Sequence, residues 1–269
     1  MKGHVIVIDV DGTLLPSNNI ISDELKKDLL HFEKDNLVVL ASGRSYHDLL
    51  QIHKEIGLHS PIISSNGASL DFFDDKKSIT MEIRKEILQD LFKNNKENII
   101  SSFYSYKNKI FIYNKLEKLN FLYKIKEDSI VLEGDFDQID LDHPNNIYFI
   151  IKNDFKEQFF LHCDKFNNEI SYMEFGHDKN VSIIILTLKH TDKAYALLEL
   201  LMIINKKESD TIIFGDNYAD INMLKLNGIT VAMSNAIDEA KTYAKYQTEY
   251  DNNNYGVIRF LKKLEKGLD

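Results

Sequence analysis

The apolar run "HVIVIDVDGTLL" at residues 4–15 ends on two carboxylates, Asp9 and Asp11, with Gly12 and Thr13 directly after them. A carboxylate at such a place can act as a nucleophile, as a general acid or base, or as a ligand for a hard cation. Other apolar runs end in the same way. "LVVLASGR" stops at Ser42 and Arg44, "PIISSNG" at Asn66, "TIIFGDNYAD" at Asp216 and Asp220, and "ITVAMSNA" at Ser234 and Asn235. Carboxylates brought together repel one another and cost desolvation energy unless a cation joins them. Asp9, Asp11 and Asp216, with no imidazole or thiolate among them, form an all-oxygen set that suits Mg²⁺. Ser42 and Gly43 open a helical stretch and can offer a hydroxyl and backbone N–H groups to an anion, while Lys193 begins another and can add a point charge. A metal, an exposed carboxylate, a hydroxyl, amides and a lysine are the parts used in phosphoryl transfer, where positioning and charge neutralisation carry most of the catalysis.

These residues lie far apart in the chain, so a scaffold must gather them. From 1 to 82, and again from 189 to 269, short apolar runs alternate with helix-like stretches. One helix is expected over 45–56, with Ser45 and Asp48 in capping-box spacing, an apolar face of Leu49, Leu50, Ile52 and Ile56, and a stop at Gly57. Others are expected to begin at Thr191, at Asp220 with a stop at Gly228, and at Ser234. The alternation predicts an α/β fold with a doubly wound, Rossmann-like parallel sheet covered on both faces. In such a sheet, ligands bind at the carboxyl ends of the strands where the strand order reverses. Residues 83–188 read instead as an inserted α+β domain. "IISSFYSYKNKIFIY" resembles a hairpin turning near Asn108, and "NIYFIIKND", "EISYMEFG" and "VSIIILTLK" are further strand candidates. Tyr104, Tyr106, Phe111 and Tyr113 alternate as residues of a hairpin core should.

Bulk properties narrow the function classes. The 269 residues carry a formal charge of −9, which argues against sequence-independent binding to nucleic acid or to an anionic membrane. No apolar run approaches the length of a membrane-spanning helix, and the first residues lack the pattern of a secretion signal. The single cysteine, Cys163, has no surroundings suited to a nucleophile and fits a reducing interior, so a cytoplasmic location is expected. His4, His47, His53, His162 and His177 have no metal-ligand spacing.

"DVDGT" at 9–13, "SGR" at 42–44, Lys193 and "GDNYAD" at 215–220 are similar, in order and spacing, to the four motifs of the haloacid dehalogenase-like phosphatases. The large insertion between the second and third motifs resembles the Cof-type branch, in which a cap domain covers the site. "NGA" at 66–68, "VAMSNA" at 231–236 and "NNNYGV" at 252–257 resemble further signatures of that branch. The resemblance implies a catalytic core from 1–82 and 189–269, a specificity-setting cap from 83–188, and a Mg²⁺-dependent phosphatase acting on small phosphomonoesters such as sugar phosphates. It implies Asp9 as nucleophile and Asp11 as acid and base. Mg²⁺ would be held by Asp9, the backbone carbonyl of Asp11, Asp216 and Asp220. The amide of Val10, Ser42, Gly43 and Lys193 would take the phosphoryl oxygens, and Arg44, Asn66 and Gly67 would lie on the leaving-group side. Where the family often has asparagine in its fourth motif this chain has Ala219, and Asn217 is the candidate to replace that phosphate contact in part. Thr13 is expected to bond back to its own turn. The partner would be a small phosphorylated metabolite, with neither nucleic acid nor membrane, and the chain a monomer or weak homo-oligomer. Two rivals use related parts: a phosphomutase on the same core, and a receiver-like module phosphorylated on Asp9 without turnover.

Overall fold

A computed structural model describes residues 1–72, 77–123, 125, 127–135 and 143–267. The chain divides into two compact units, one of residues 1–79 and 191–269, the other of residues 80–190.

In chain order the first unit begins with β1 (Val5–Asp9), α1 (Asp23–Glu33), β2 (Leu37–Ala41), α2 (Tyr46–Ile56), β3 (Ile62–Ser64), β4 (Ser69–Asp71) and β5 (Ser78–Thr80). The second unit holds α3 (Lys85–Asn95), β6 (Ile99–Tyr106), β7 (Lys109–Tyr113), α4 (Asn120–Tyr123), β8 (Ile130–Glu133), β9 (Asn146–Lys152), α5 (Lys156–Cys163), β10 (Ile170–His177) and β11 (Val181–Leu188). The first unit resumes with α6 (Lys193–Ile203), β12 (Thr211–Gly215), α7 (Ile221–Leu224), β13 (Ile229–Ala232), α8 (Asp238–Tyr243), β14 (Tyr246–Gln247) and α9 (Gly256–Glu265).

The first unit's sheet runs β14-β13-β12-β1-β2-β3-β4-β5. Every pairing from β14 to β3 is parallel, and β4 turns antiparallel against β3. From β1 the chain winds outward through β2 and β3, whereas β12 lies on the other side of β1 and leads to β13 and β14. The order therefore reverses between β1 and β12, and these two strands carry Asp9 and Asp216 at their carboxyl ends. Val5–Ile8, Val38–Leu40 and Ile212–Phe214 are all fully or almost fully buried. Strands packed on both faces can be apolar throughout, which explains why polar residues appear only where they end.

The expected helix over 45–56 forms as α2, with the Ser45 side chain accepting from the Asp48 N–H and Gly57 left-handed as its cap. Two other expectations need correction. The helix expected from Asp220 to Gly228 is the short α7, which ends at Leu224. No helix starts at Ser234: α8 begins four residues later, and residues 233–237 are tied to a neighbouring strand end instead. There the Met233 N–H donates to the Gly215 carbonyl and the Ile237 N–H to the Asp216 carbonyl.

The second unit is an α+β domain with a sheet ordered β10-β11-β9-β6-β7-β8. β6 and β7 form the hairpin expected near Asn108, and Tyr104 stacks on Phe111 at 4.6 Å within its core. Cys163 is buried there, and burial pushes its thiol up to about 12, the setting of an inert cysteine.

His53 of α2 is fully buried, with Nε2 3.2 Å from the Ser60 hydroxyl. Burial pushes its imidazole down to about 4, against an ordinary value of about 6.5. The unfolded chain then binds more protons than the folded one as pH falls from 6.5 to 4, so stability declines across that window. Denaturant melts at pH 7 and pH 5 should show the wild type losing about 2 kcal/mol more than His53→Leu, which lacks the titrating group.

Candidate active site

The strand ends at the reversal point put four charged groups together: Asp9, Lys193, Asp216 and Asp220. Asp9 closes β1 and is 4% exposed, and Lys193 opens α6 at 2%. The Lys193 ammonium reaches Asp9 Oδ1 at 2.6 Å and Asp220 Oδ1 at 2.8 Å. The other Asp220 oxygen, Oδ2, accepts from the N–H groups of Asp216 and Asn217 at 3.0 and 3.1 Å. Asp220 thus serves the lysine with one oxygen and closes the turn after β12 with the other. Asp216 lies close by, and its Oδ1 accepts the Thr13 hydroxyl at 2.8 Å. Thr13 therefore bonds across to the end of β12 instead of back to its own turn.

One carboxylate oxygen from each of Asp9, Asp216 and Asp220 lies within 4.8 Å of the others. Three hard oxygen donors, two of them buried, with no nitrogen or sulfur among them, fit a Mg²⁺ ion. The Asp11 carboxylate is not part of this cluster.

The electrostatics match that donor set. Burial is the largest influence on Asp9 and pushes its carboxyl above the ordinary range; Lys193 pulls the other way, and Asp220 and Asp216 push it up again. Asp216 is likewise raised, first by burial. Burial works against the Lys193 ammonium too, but Asp9 and Asp220 outweigh it and hold its pKa above the ordinary value. One buried cation facing three carboxylates leaves surplus negative charge that a divalent ion would offset.

Asp11 is the exposed carboxylate of the group, and Arg44 grips it. Arg44 Nε donates to Asp11 Oδ2 at 2.8 Å, and a second guanidinium nitrogen to Oδ1 at 2.6 Å. That fork geometry fixes orientation as well as charge. The same guanidinium lies 3.5 Å from Asn19 Oδ1, a residue with no motif to mark it in the sequence. Ser42 is fully buried, and its oxygen accepts the Arg44 N–H at 3.1 Å, which leaves the hydroxyl hydrogen to be given elsewhere.

Asn66 sits beside Gly43, where a Cβ would come within 3.0 Å of Asn66 Oδ1. Gly67, at φ +90°, lies so close to α6 that a Cβ would stand 2.1 Å from the Asp192 carbonyl. Only glycine lets this turn abut the residue that introduces Lys193. Asn217 is exposed, and its side-chain oxygen caps the Tyr218 N–H at 2.7 Å. Val10 is buried, its carbonyl accepting from the Leu14 and Leu15 N–H groups. Sequence reasoning did not anticipate the Arg44–Asp11 pair, the Thr13–Asp216 bond or Asn19. The first two join strand ends whose adjacency depends on strand order, and Asn19 meets Arg44 from the loop between β1 and α1.

Among the described residues, no helix is long and apolar enough to cross a membrane. A family model for haloacid dehalogenase-like hydrolases matches residues 6–261. The chain is 31% identical to the protein MG265 of Mycoplasma genitalium, an alignment that covers 96% of this chain and 97% of that one. It is 25% identical to the phosphatase YwpJ of Bacillus subtilis, over 97% of this chain and 99% of the relative. A crystal structure of a haloacid dehalogenase-like hydrolase from Bacteroides thetaiotaomicron superposes with a TM-score of 0.82 at 25% identity, covering 98% of this chain and all of the other.

Proposed function

This chain belongs to the haloacid dehalogenase-like hydrolases, and from that membership we propose that it is a Mg²⁺-dependent phosphatase of small phosphomonoesters that works through an aspartyl-phosphate on Asp9. It is a phosphoric monoester hydrolase, and its Bacillus subtilis relative YwpJ, matched over 97% of this chain, is named a phosphatase. The single observation that carries the finer reading is the buried Lys193 ammonium bridging Asp9 and Asp220, within a three-carboxylate cluster.

In this reading Asp9 attacks phosphorus and the P–O bond to the leaving group breaks. The bonding pair goes to the leaving oxygen, which takes a proton from Asp11. Asp11 then accepts a proton from the water that attacks the aspartyl-phosphate, and inorganic phosphate departs with Asp9 restored. Lys193, the Ser42 hydroxyl, the amides of Val10 and Gly43, and Asn217 would meet the phosphoryl oxygens. Asp9, the Asp11 carbonyl, Asp216 and Asp220 would hold Mg²⁺, which supplies charge neutralisation for the transferring group. Arg44 would serve the leaving-group side by holding Asp11, with Asn66 and Gly67 beside it. Substrate selection falls to the unit of residues 80–190. The partner in this reading is a small phosphorylated metabolite, met in the cytoplasm.

The test is phosphate release from p-nitrophenyl phosphate and a panel of phosphorylated metabolites. Chelation should lower turnover by about 10²-fold or more, and Mg²⁺ should restore it. Robust turnover without a metal contradicts the reading, and an isomerised product in place of free phosphate points to a phosphomutase.

A further inference from the structure

Two sequence signatures, "VAMSNA" and "NNNYGV", have no part in the chemistry above, yet both reach the loop that follows the nucleophile. Asn235 Nδ2 donates to the Gly12 carbonyl at 2.8 Å. Asn235 Oδ1 accepts the Asn252 N–H at 3.3 Å, and Asn252 Nδ2 donates to the Leu15 carbonyl at 2.7 Å. Asn253 Oδ1 accepts the Ser17 N–H at 2.8 Å. On its other side, the segment bearing Asn235 is anchored to the end of β12 by the Met233 and Ile237 N–H groups, at 3.0 and 2.9 Å. Asn235 therefore links the backbone around Asp216 to the backbone next to Asp11.

We propose that Asn235 is a positioning residue that sets the direction of Asp11 by holding the Gly12 carbonyl, with Asn252 bracing it from behind. The inference rests on the phosphatase reading. Gly12, at φ +85°, is the most freely rotating residue of the loop. Its carbonyl lies in the Gly12–Thr13 peptide, one residue from Asp11, the proton donor, and next to Thr13, which bonds Asp216. With the Asn235 amide removed, the Gly12–Thr13 peptide can turn, the backbone next to Asp11 shifts, and the Arg44 fork alone is left to aim its carboxylate at the leaving oxygen. Asp9, Lys193 and Asp220 keep their own bonds to one another.

The readout is dependence on the leaving group. An alkyl phosphate needs a proton on its departing oxygen, whereas p-nitrophenolate leaves with little help. Asn235→Ala should slow single-turnover release of the alcohol from an alkyl phosphate by about 10- to 100-fold, with the KM little changed. Release of p-nitrophenolate should fall by less than about threefold. Asn235→Asp keeps the size and the acceptor for Asn252 but lacks the donor, so it should behave like the alanine variant. Equal losses on both esters would mean a structural role and overturn the proposal, as would no loss on either. Failure of both variants to fold, read as a lost thermal transition, would also overturn it. A wild type that releases no phosphate from any ester sinks the phosphatase reading instead.

Discussion

Asp9→Asn should lower turnover by about 10⁴-fold or more, with the protein still folded. An amide is a poor nucleophile towards phosphorus, and none of the other carboxylates can take over. Asp220 is tied to Lys193 and to two backbone N–H groups, Asp216 is held by Thr13, and Asp11 is gripped by Arg44. The fold should survive because the substitution also removes one of the crowded, desolvated carboxylates. Steady-state kinetics beside a thermal melt would check both halves, and full activity in the variant would remove Asp9 from the chemistry.

Lys193→Met should act on catalysis and on stability together. Removing a preorganised cation from the phosphoryl group should lower kcat/KM by about 10²- to 10³-fold. The metal-free protein should also lose about 3–5 kcal/mol, because Asp9 and Asp220 are then buried without their partner. Added Mg²⁺ should recover part of that loss, since an ion that binds only the folded form stabilises it. The thermal midpoint of the variant should therefore rise more with Mg²⁺ than that of the wild type. Equal shifts would mean that the lysine and the metal do not share the same carboxylates.

Much of the site was legible in the sequence because it follows a local rule. Each buried strand is apolar along its length and turns polar at one end, so Asp9, Ser42, Asn66 and Asp216 marked themselves by position. Lys193 had no such mark: "KHTDKAYALL" reads as an ordinary helix start, and only the order of the motifs pointed to it. What could not be read was pairing across the sheet. Arg44 and Asp11 are 33 residues apart, Thr13 and Asp216 203 apart, and both pairs exist because β1 lies between β2 and β12. The helix expected at Ser234 failed for a related reason. Local propensity favoured a cap there, but the Ser234 N–H donates to the Thr248 hydroxyl and its neighbours donate to the end of β12. The short β4 and β5 were also missed, since three residues each are too few to show a period.

The central claim is that a phosphoryl group rests covalently on Asp9 during turnover. Acid quench of the wild type with Mg²⁺ and substrate, followed by peptide mass spectrometry, tests this directly. The account predicts that the peptide carrying Asp9 gains the mass of one phosphoryl group, that hydroxylamine removes it, and that Asp9→Asn never acquires it. Active enzyme whose Asp9 peptide stays unmodified through the burst, or a label on a different side chain, would contradict the account.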